Sequence, residues 1–140
     1  MDSKIDNCIF CKIIQKEIPA HIIHEDKDSL AFLDIKPHSK GHTVVIPKKH
    51  AVTPFDLDEK SLQKLILNVK KTMEKLRDVL FTDGFNVGWN QNTVAGQVVP
   101  HLHVHIFPRY AGDGGGSMHS IIKNPGEMSV DEVGKLFIKS

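Results

Sequence analysis

"VVPHLHVHIFPR", residues 98–109, places histidines at 101, 103 and 105 and sets Leu102, Val104 and Ile106 between them. Strict alternation is the repeat of an extended strand, whose successive side chains point to opposite faces. The stretch therefore predicts a strand that packs Leu102, Val104 and Ile106 into a core and presents a row of imidazoles on its other face. A merely solvated face would be built from Ser, Thr or Lys. Three of the chain's nine histidines gathered in one row point to chemistry instead. Two chemistries fit: the rings ligate a metal and leave one position open to polarise water, or one ring nitrogen attacks an electrophile such as phosphorus. Spacing alone does not choose between them.

Working outward, "FNVGWNQ" (85–91) reads as a strand joined to the histidine row by the loop "NTVAGQVVP" (92–100). Ahead of it, Leu62, Leu65, Ile66, Val69, Met73, Leu76 and Leu80 fall on one helical face while Lys64, Lys70, Lys71 and Lys75 fall elsewhere, which predicts one long helix lying across a sheet. Asp56 with Glu59 resembles a capping box at its start, and "TDG" (82–84) marks its end. Earlier still, "HIIHE" (21–25) and "LAFLDI" (30–35) flank "DKDS", whose Asp and Ser residues bond their own backbone in turns, so the pair predicts a hairpin. After the loop "KPHSKG", "HTVVIP" (42–47) adds a third strand that Pro47 ends, giving an antiparallel meander. At the N-terminal end, "CIFCKIIQKEI" (8–18) has apolar residues at 9, 10, 13 and 14, the spacing of a short helix that Pro19 stops. Strands, one crossing helix and more strands make the expected class α+β.

The chain's 140 residues fit one domain, with a core over about 8–109 and a Gly-rich, then weakly helical, tail over 110–140. A net charge of +1 gives no surface suited to a polyanion, so nucleic acid is not an expected partner. No apolar run approaches the roughly 18 residues of a membrane span, and "MDSKIDNC" lacks the apolar core of a leader, so a cytoplasmic protein without a membrane partner is expected. Cys8 and Cys11 are too close in sequence to staple a fold, and in a reducing compartment such a pair suits metal binding or redox chemistry. A redox pair of the thioredoxin kind needs a βαβ context that this N-terminus lacks.

"HLHVHIF" matches the alternating signature of the histidine-triad (HIT) superfamily of nucleotide hydrolases and transferases. "CIFCKIIQKEIPA", "LAFLDIKP", "GHTVVIPKKH", "NVGWNQ" and "AGQ" also resemble that family in order and approximate spacing. The resemblance implies an α+β domain with a five-stranded antiparallel sheet, one long helix and one short N-terminal helix, and a homodimer through which the sheet continues. It implies that His103 is the nucleophile, attacking the α-phosphorus of a nucleotide to form a nucleotidyl-histidine that water then opens to a nucleoside monophosphate. His103 would donate its other ring N–H to the main-chain carbonyl of His101, and His105 would donate to a non-bridging phosphate oxygen.

The same resemblance assigns Gln97 and the backbone around Gly96 to the phosphate, and Asn90 to the phosphate and leaving group. It gives Asp34 the ribose hydroxyls, and Phe10, Ile13, Phe32 and Ile35 the apolar slot for the base. His42 matches a family histidine that buttresses the triad. Cys8, Cys11, His50 and His101 resemble the ligands of the family's zinc-bearing branch, a closed site in which Zn²⁺ is structural. Arg109 is a candidate for a distal phosphate or for a surface ion pair, and "GDGGGS" (112–117) reads as a flexible linker. One position departs from the pattern: Val98 stands where several branches carry Ser or Thr. The base and the leaving group therefore stay open among dinucleoside polyphosphates, adenylates and phosphoramidates. Two other function classes compete, a hydrolase with a catalytic zinc held by the three triad histidines and a nucleotide-binding regulator or scaffold with vestigial turnover.

Overall fold

The computed structural model describes residues 7–138; the first six residues of "MDSKIDNC", on which the reading of the N-terminus rests, lie outside the described residues. The elements run α1 (Ile9–Ile14), β1 (Ile22–Glu25), β2 (Ser29–Leu33), β3 (Thr43–Pro47), α2 (Glu59–Leu80), β4 (Gly84–Gly88), β5 (Val104–Arg109) and α3 (Val130–Ile138). All five strands pair antiparallel in the order β1-β2-β3-β5-β4, so the expected meander forms and β5 inserts between β3 and β4. No helix is long and apolar enough to cross a membrane among the described residues.

Strand alternation divides the core in two. Ala31, Val45, Leu102, Val104 and Ile106 leave one face of the sheet and pack against Leu65, Val69 and Leu76 of α2. Leu30, Phe32, Val44 and Ile46 leave the other face and meet Ile13 of α1. Each of the larger side chains among these contributes about 1.5–3 kcal/mol by leaving water. The register aligns a single row across this second face: Ile22 opposite Phe32, Phe32 opposite Val44, Val44 opposite His105, and His105 opposite Gly88. The hairpin turn forms as its residues dictate, the Asp26 carboxylate accepting the N–H groups of Asp28 and Ser29 at 2.8 and 3.0 Å.

Several element boundaries differ from the sequence reading. α1 ends at Ile14, ahead of Pro19, because Gln15 caps it and Lys16 turns to φ 66°. The cap of α2 is Asp58, which accepts the Ser61 N–H; Asp56 instead closes a box with Thr53 around the 3-10 turn Pro54–Asp56. α2 ends when Phe81 adopts the left-handed conformation, one residue before "TDG". Ile66 is exposed, and the buried stripe of α2 takes Asn68 and Thr72 in among its aliphatics. Their polar atoms are satisfied: Asn68 donates to the Lys64 carbonyl and accepts from His24 Nε2, and Thr72 donates to the Asn68 carbonyl. The tail forms a third helix, α3, whose start is capped by the reciprocal Ser129–Glu132 pair.

Candidate active site

The ladder of β5 begins only at Val104, so His101 and His103 lie on the segment leading into it. Alternation nonetheless persists, because Leu102 hydrogen-bonds to the Ala51 carbonyl at 2.6 Å and buries its side chain under α2. The three imidazoles thus face the α1 side, with ring centroids of His103 and His105 4.9 Å apart.

Main-chain groups fix the proton positions on these rings. His103 donates Nδ1–H to the His101 carbonyl at 2.7 Å, since a carbonyl only accepts, and its Nε2 keeps a lone pair. His101 donates Nε2–H to the Pro47 carbonyl at 2.9 Å, which leaves its Nδ1 as the lone-pair nitrogen. The His38 N–H donates to His42 Nδ1 at 3.2 Å, so His42 carries its proton on Nε2 and donates it to His105 Nδ1 at 3.0 Å. His105 is then left with Nε2–H as a donor. The result is one free lone pair, on His103, beside one free donor, on His105.

Burial keeps these rings neutral. It lowers the pKa of His103, against the raising influence of the His101 carbonyl, and it pushes His105 down to about 4, helped by neighbouring His103 and His42. His101 is likewise pushed to about 4, chiefly by burial. The edge of Phe10, on α1, meets the His103 ring at a centroid distance of 5.1 Å and the Phe32 ring at 5.6 Å.

The remaining sequence-derived residues gather around this pair. Phe10 and Ile13 of α1 pack with Phe32 of β2, and Ile35 stands 86% exposed two residues past the end of β2. Asp34 accepts the Lys36 N–H at 2.9 Å on one oxygen, while the other lies 3.6 Å from His42 Nε2. Asn90 and Gly96 are neighbours: a Cβ on Gly96 would lie 3.7 Å from Asn90 Cγ, and Gly96 holds φ 101°, open to glycine. Gln97 is buried and ties the loop down, accepting the Asn92 N–H and donating to the carbonyls of Val52 and Val99. Arg109 forms the surface ion pair, its Nε and Nη2 each donating to an Asp113 carboxylate oxygen at 2.8 Å, and so fastens the "GDGGGS" segment. A cleft of about 150 Å³ adjoins the slot, lined by Ile13, Lys16, Ile18, Pro19, Ala20 and Ile22. Most of these come from the irregular turn after α1 and carry no periodic signal in the sequence.

Among the described residues, two side-chain groups have the makings of a metal site. Cys8, Cys11, His50 and His101 bring their ligand atoms within 4.8 Å of one another. His101 Nδ1, the lone-pair nitrogen, lies 3.4 and 3.7 Å from the two sulfurs, and His50 Nδ1 lies 3.3 Å from Cys11 Sγ. Two thiols and two imidazoles, with no further donor in the group among the described residues, fit a closed Zn²⁺ site. Asp34, His42 and His105 also converge, but His42 Nε2 carries the proton that holds His105, so the two rings form a hydrogen-bond relay with the Asp34 carboxylate 3.6 Å from His42.

Residues 15–112 match the HIT domain family. The chain is 49% identical to the HIT-like protein MJ0866 of Methanocaldococcus jannaschii over 126 residues, 90% of this chain and 95% of that protein. It is 42% identical over 103 residues, 74% of each chain, to the adenosine 5'-monophosphoramidase hnt1 of Schizosaccharomyces pombe. Its fold superposes with a TM-score of 0.73 and 37% identity on a Zn-bound histidine triad family protein from Mycobacterium smegmatis, covering 77% of this chain and 78% of that one. With its five-stranded sheet and its row of three histidines, the chain belongs to the HIT domain family.

Proposed function

We propose that this protein is a nucleotide hydrolase or nucleotidyl transferase that cleaves at the α-phosphate of a nucleotide conjugate through His103. The observation that carries the reading is the 2.7 Å bond from His103 Nδ1–H to the His101 carbonyl, which leaves the Nε2 lone pair unprotonated and free. That lone pair attacks phosphorus, the bond to the leaving group breaks, and the leaving group departs with the electron pair and a proton taken from solvent, an amine leaving as the neutral amine. The nucleotidyl-histidine nitrogen is then cationic and leaves readily when water attacks the same phosphorus, releasing the nucleoside monophosphate and returning neutral His103. His105 donates Nε2–H to the non-bridging oxygen on which charge builds. The S. pombe relative's name as an adenosine 5'-monophosphoramidase supports an amidate as one substrate.

Phe10, Ile13, Phe32 and Ile35 take the base, Asp34 accepts the ribose hydroxyls, and Asn90 reaches the phosphate and leaving group. With the Gln97 amide holding the loop, the phosphate contact there falls to main chain past Gly96. Zn²⁺ would be held by Cys8, Cys11, His50 and His101 and would supply a structural tie between α1 and the triad segment. A catalytic zinc on the three triad histidines fits less well, because His101 turns its lone pair to the thiols and His103 and His105 each use Nδ1 in a bond of their own. The functional unit is a homodimer whose sheet continues across a two-fold axis, a role open to β4 because it is an edge strand with exposed Trp89 and Phe81 at or near its ends.

Brief incubation with an adenosine phosphoramidate, acid quench and intact mass tests the reading. A nucleotidyl adduct on the wild type and none on His103→Ala is expected. Full turnover by His103→Ala rules the mechanism out.

A further inference from the structure

We infer that the cleft between the turn after α1 and the start of β1 extends the base slot and takes an apolar substituent on the outer edge of the base. On an adenine nucleotide this is an aryl or alkyl group carried by the exocyclic nitrogen N6. The inference deepens the reading of Phe10, Ile13 and Phe32 as the base slot and rests on it. Its geometry comes from one cross-strand row: His105 opposite Val44, Val44 opposite Phe32, and Phe32 opposite Ile22. Residues directly opposite in an antiparallel pair project to the same face, about 4.5–5.5 Å apart at Cβ. The row therefore runs from the triad, across the floor of the slot, to Ile22 on the edge strand β1. In a purine the six-membered ring, with its nitrogen at position 6, lies beyond the ring that carries the ribose. A nucleotide with its phosphate at His105 and its base over Phe32 points that outer ring toward Ile22.

Beyond that edge lies space. The cleft measures about 150 Å³ and is lined by Ile13, Lys16, Ile18, Pro19, Ala20 and Ile22. Ile13 belongs to both slot and cleft and joins them, while Ile18 and Ala20 pack against the cluster that holds Phe32. Main-chain bonds hold the turn that forms its outer wall: Lys16 N–H donates to the Ile13 carbonyl at 3.0 Å and Glu17 N–H to the Lys12 carbonyl at 2.9 Å. The Lys16 ammonium is drawn off to Glu25 Oε1 at 2.9 Å, and the other Glu25 oxygen accepts from Lys48 at 2.7 Å. Lys16 therefore offers the cleft its methylene stem. Ile22, 41% exposed on an edge strand, keeps apolar surface for a ligand to cover. Apolar cavities of about 150 Å³ take up a benzene-sized group, so the space and its lining together select a neutral, apolar substituent of that size.

The test uses the full-length protein and two substrates with the same leaving group, adenosine 5'-phosphoramidate and its N6-benzyl derivative. The benzyl substrate is expected to show a kcat/KM higher by about fivefold or more, chiefly through KM, because its added ring leaves water inside the cleft. Isothermal titration calorimetry with adenosine monophosphate and its N6-benzyl form needs no catalysis and should give the same preference. Ala20→Phe fills the cleft and is expected to abolish the preference in both measurements. Ile22→Ala, at a half-exposed edge position, is expected to lower it by about threefold through lost apolar contact. A wild-type preference below about twofold, or preferences within about twofold of wild type in both variants with native circular dichroism, overturns the inference. A wild type that forms no adduct yet binds the N6-benzyl monophosphate the more tightly overturns His103 as nucleophile and leaves the cleft standing.

Discussion

His42 touches no substrate in the proposed reaction, but it decides what His105 can do. Because its Nδ1 receives the His38 N–H, its proton sits on Nε2 and the lone pair of His105 Nδ1 is engaged. Removing the relay in His42→Phe lets His105 flip its tautomer and lose the donor aimed at phosphate. The expected result is a fall of about tenfold or more in kcat with KM nearly unchanged, read by steady-state kinetics on a phosphoramidate. The same rings set a pH dependence. His105 has a folded pKa of about 4 against 6.5 for the free side chain. Between those values the unfolded chain takes up a proton that the folded chain refuses, so the contribution to stability is complete above pH 6.5 and is lost as pH falls toward 4. Thermal melts from pH 7 to 4.5 should show Tm falling, with a shallower slope in His105→Asn. The histidine row was legible from its alternation, and the resemblance supplied His42 as a buttress. The direction of its proton was not legible, because it depends on a main-chain N–H four residues away that only the folded loop brings into range.

At the scale of elements, two helices clamp the sheet by different means. α2 does so through apolar burial, and Leu65, 1% exposed, stands within that cluster. Leu65→Ala should cost about 2–5 kcal/mol in urea denaturation, through lost transfer energy and the cavity left behind. α1 spans only six residues, too short to be stable alone, and on the proposed reading it is tied to the triad segment by zinc through Cys8 and Cys11. Cys11→Ser should lower bound zinc well below one ion per chain by elemental analysis. It should also weaken binding of a nucleoside monophosphate, because Phe10 and Ile13 ride on the same helix. Element existence followed from periodicity, but caps did not: Asp56 and Asp58 carry the same signal in the sequence. The choice between them fell to Thr53, whose box with Asp56 left Asp58 to start α2.

For the whole molecule, the sheet order leaves β1 and β4 as edges. An open edge flanked by exposed aromatics invites pairing. Sedimentation equilibrium should therefore give twice the chain mass, and a monomer at micromolar concentration would count against the proposed dimer. The sequence by itself determined the α+β class, the two-faced strands and the pairing of Cys8 with Cys11 ahead of a histidine row, because these follow from side-chain periodicity and from residue chemistry, both local properties. Only the tertiary structure decided which nitrogen of each ring is free and that Gln97 holds its loop. It alone turned Arg109 to Asp113 and brought Ile13 of α1 to the cleft beside Ile22. Each of these depends on groups distant in sequence meeting at hydrogen-bond or van der Waals range, and no repeat in the chain encodes that range.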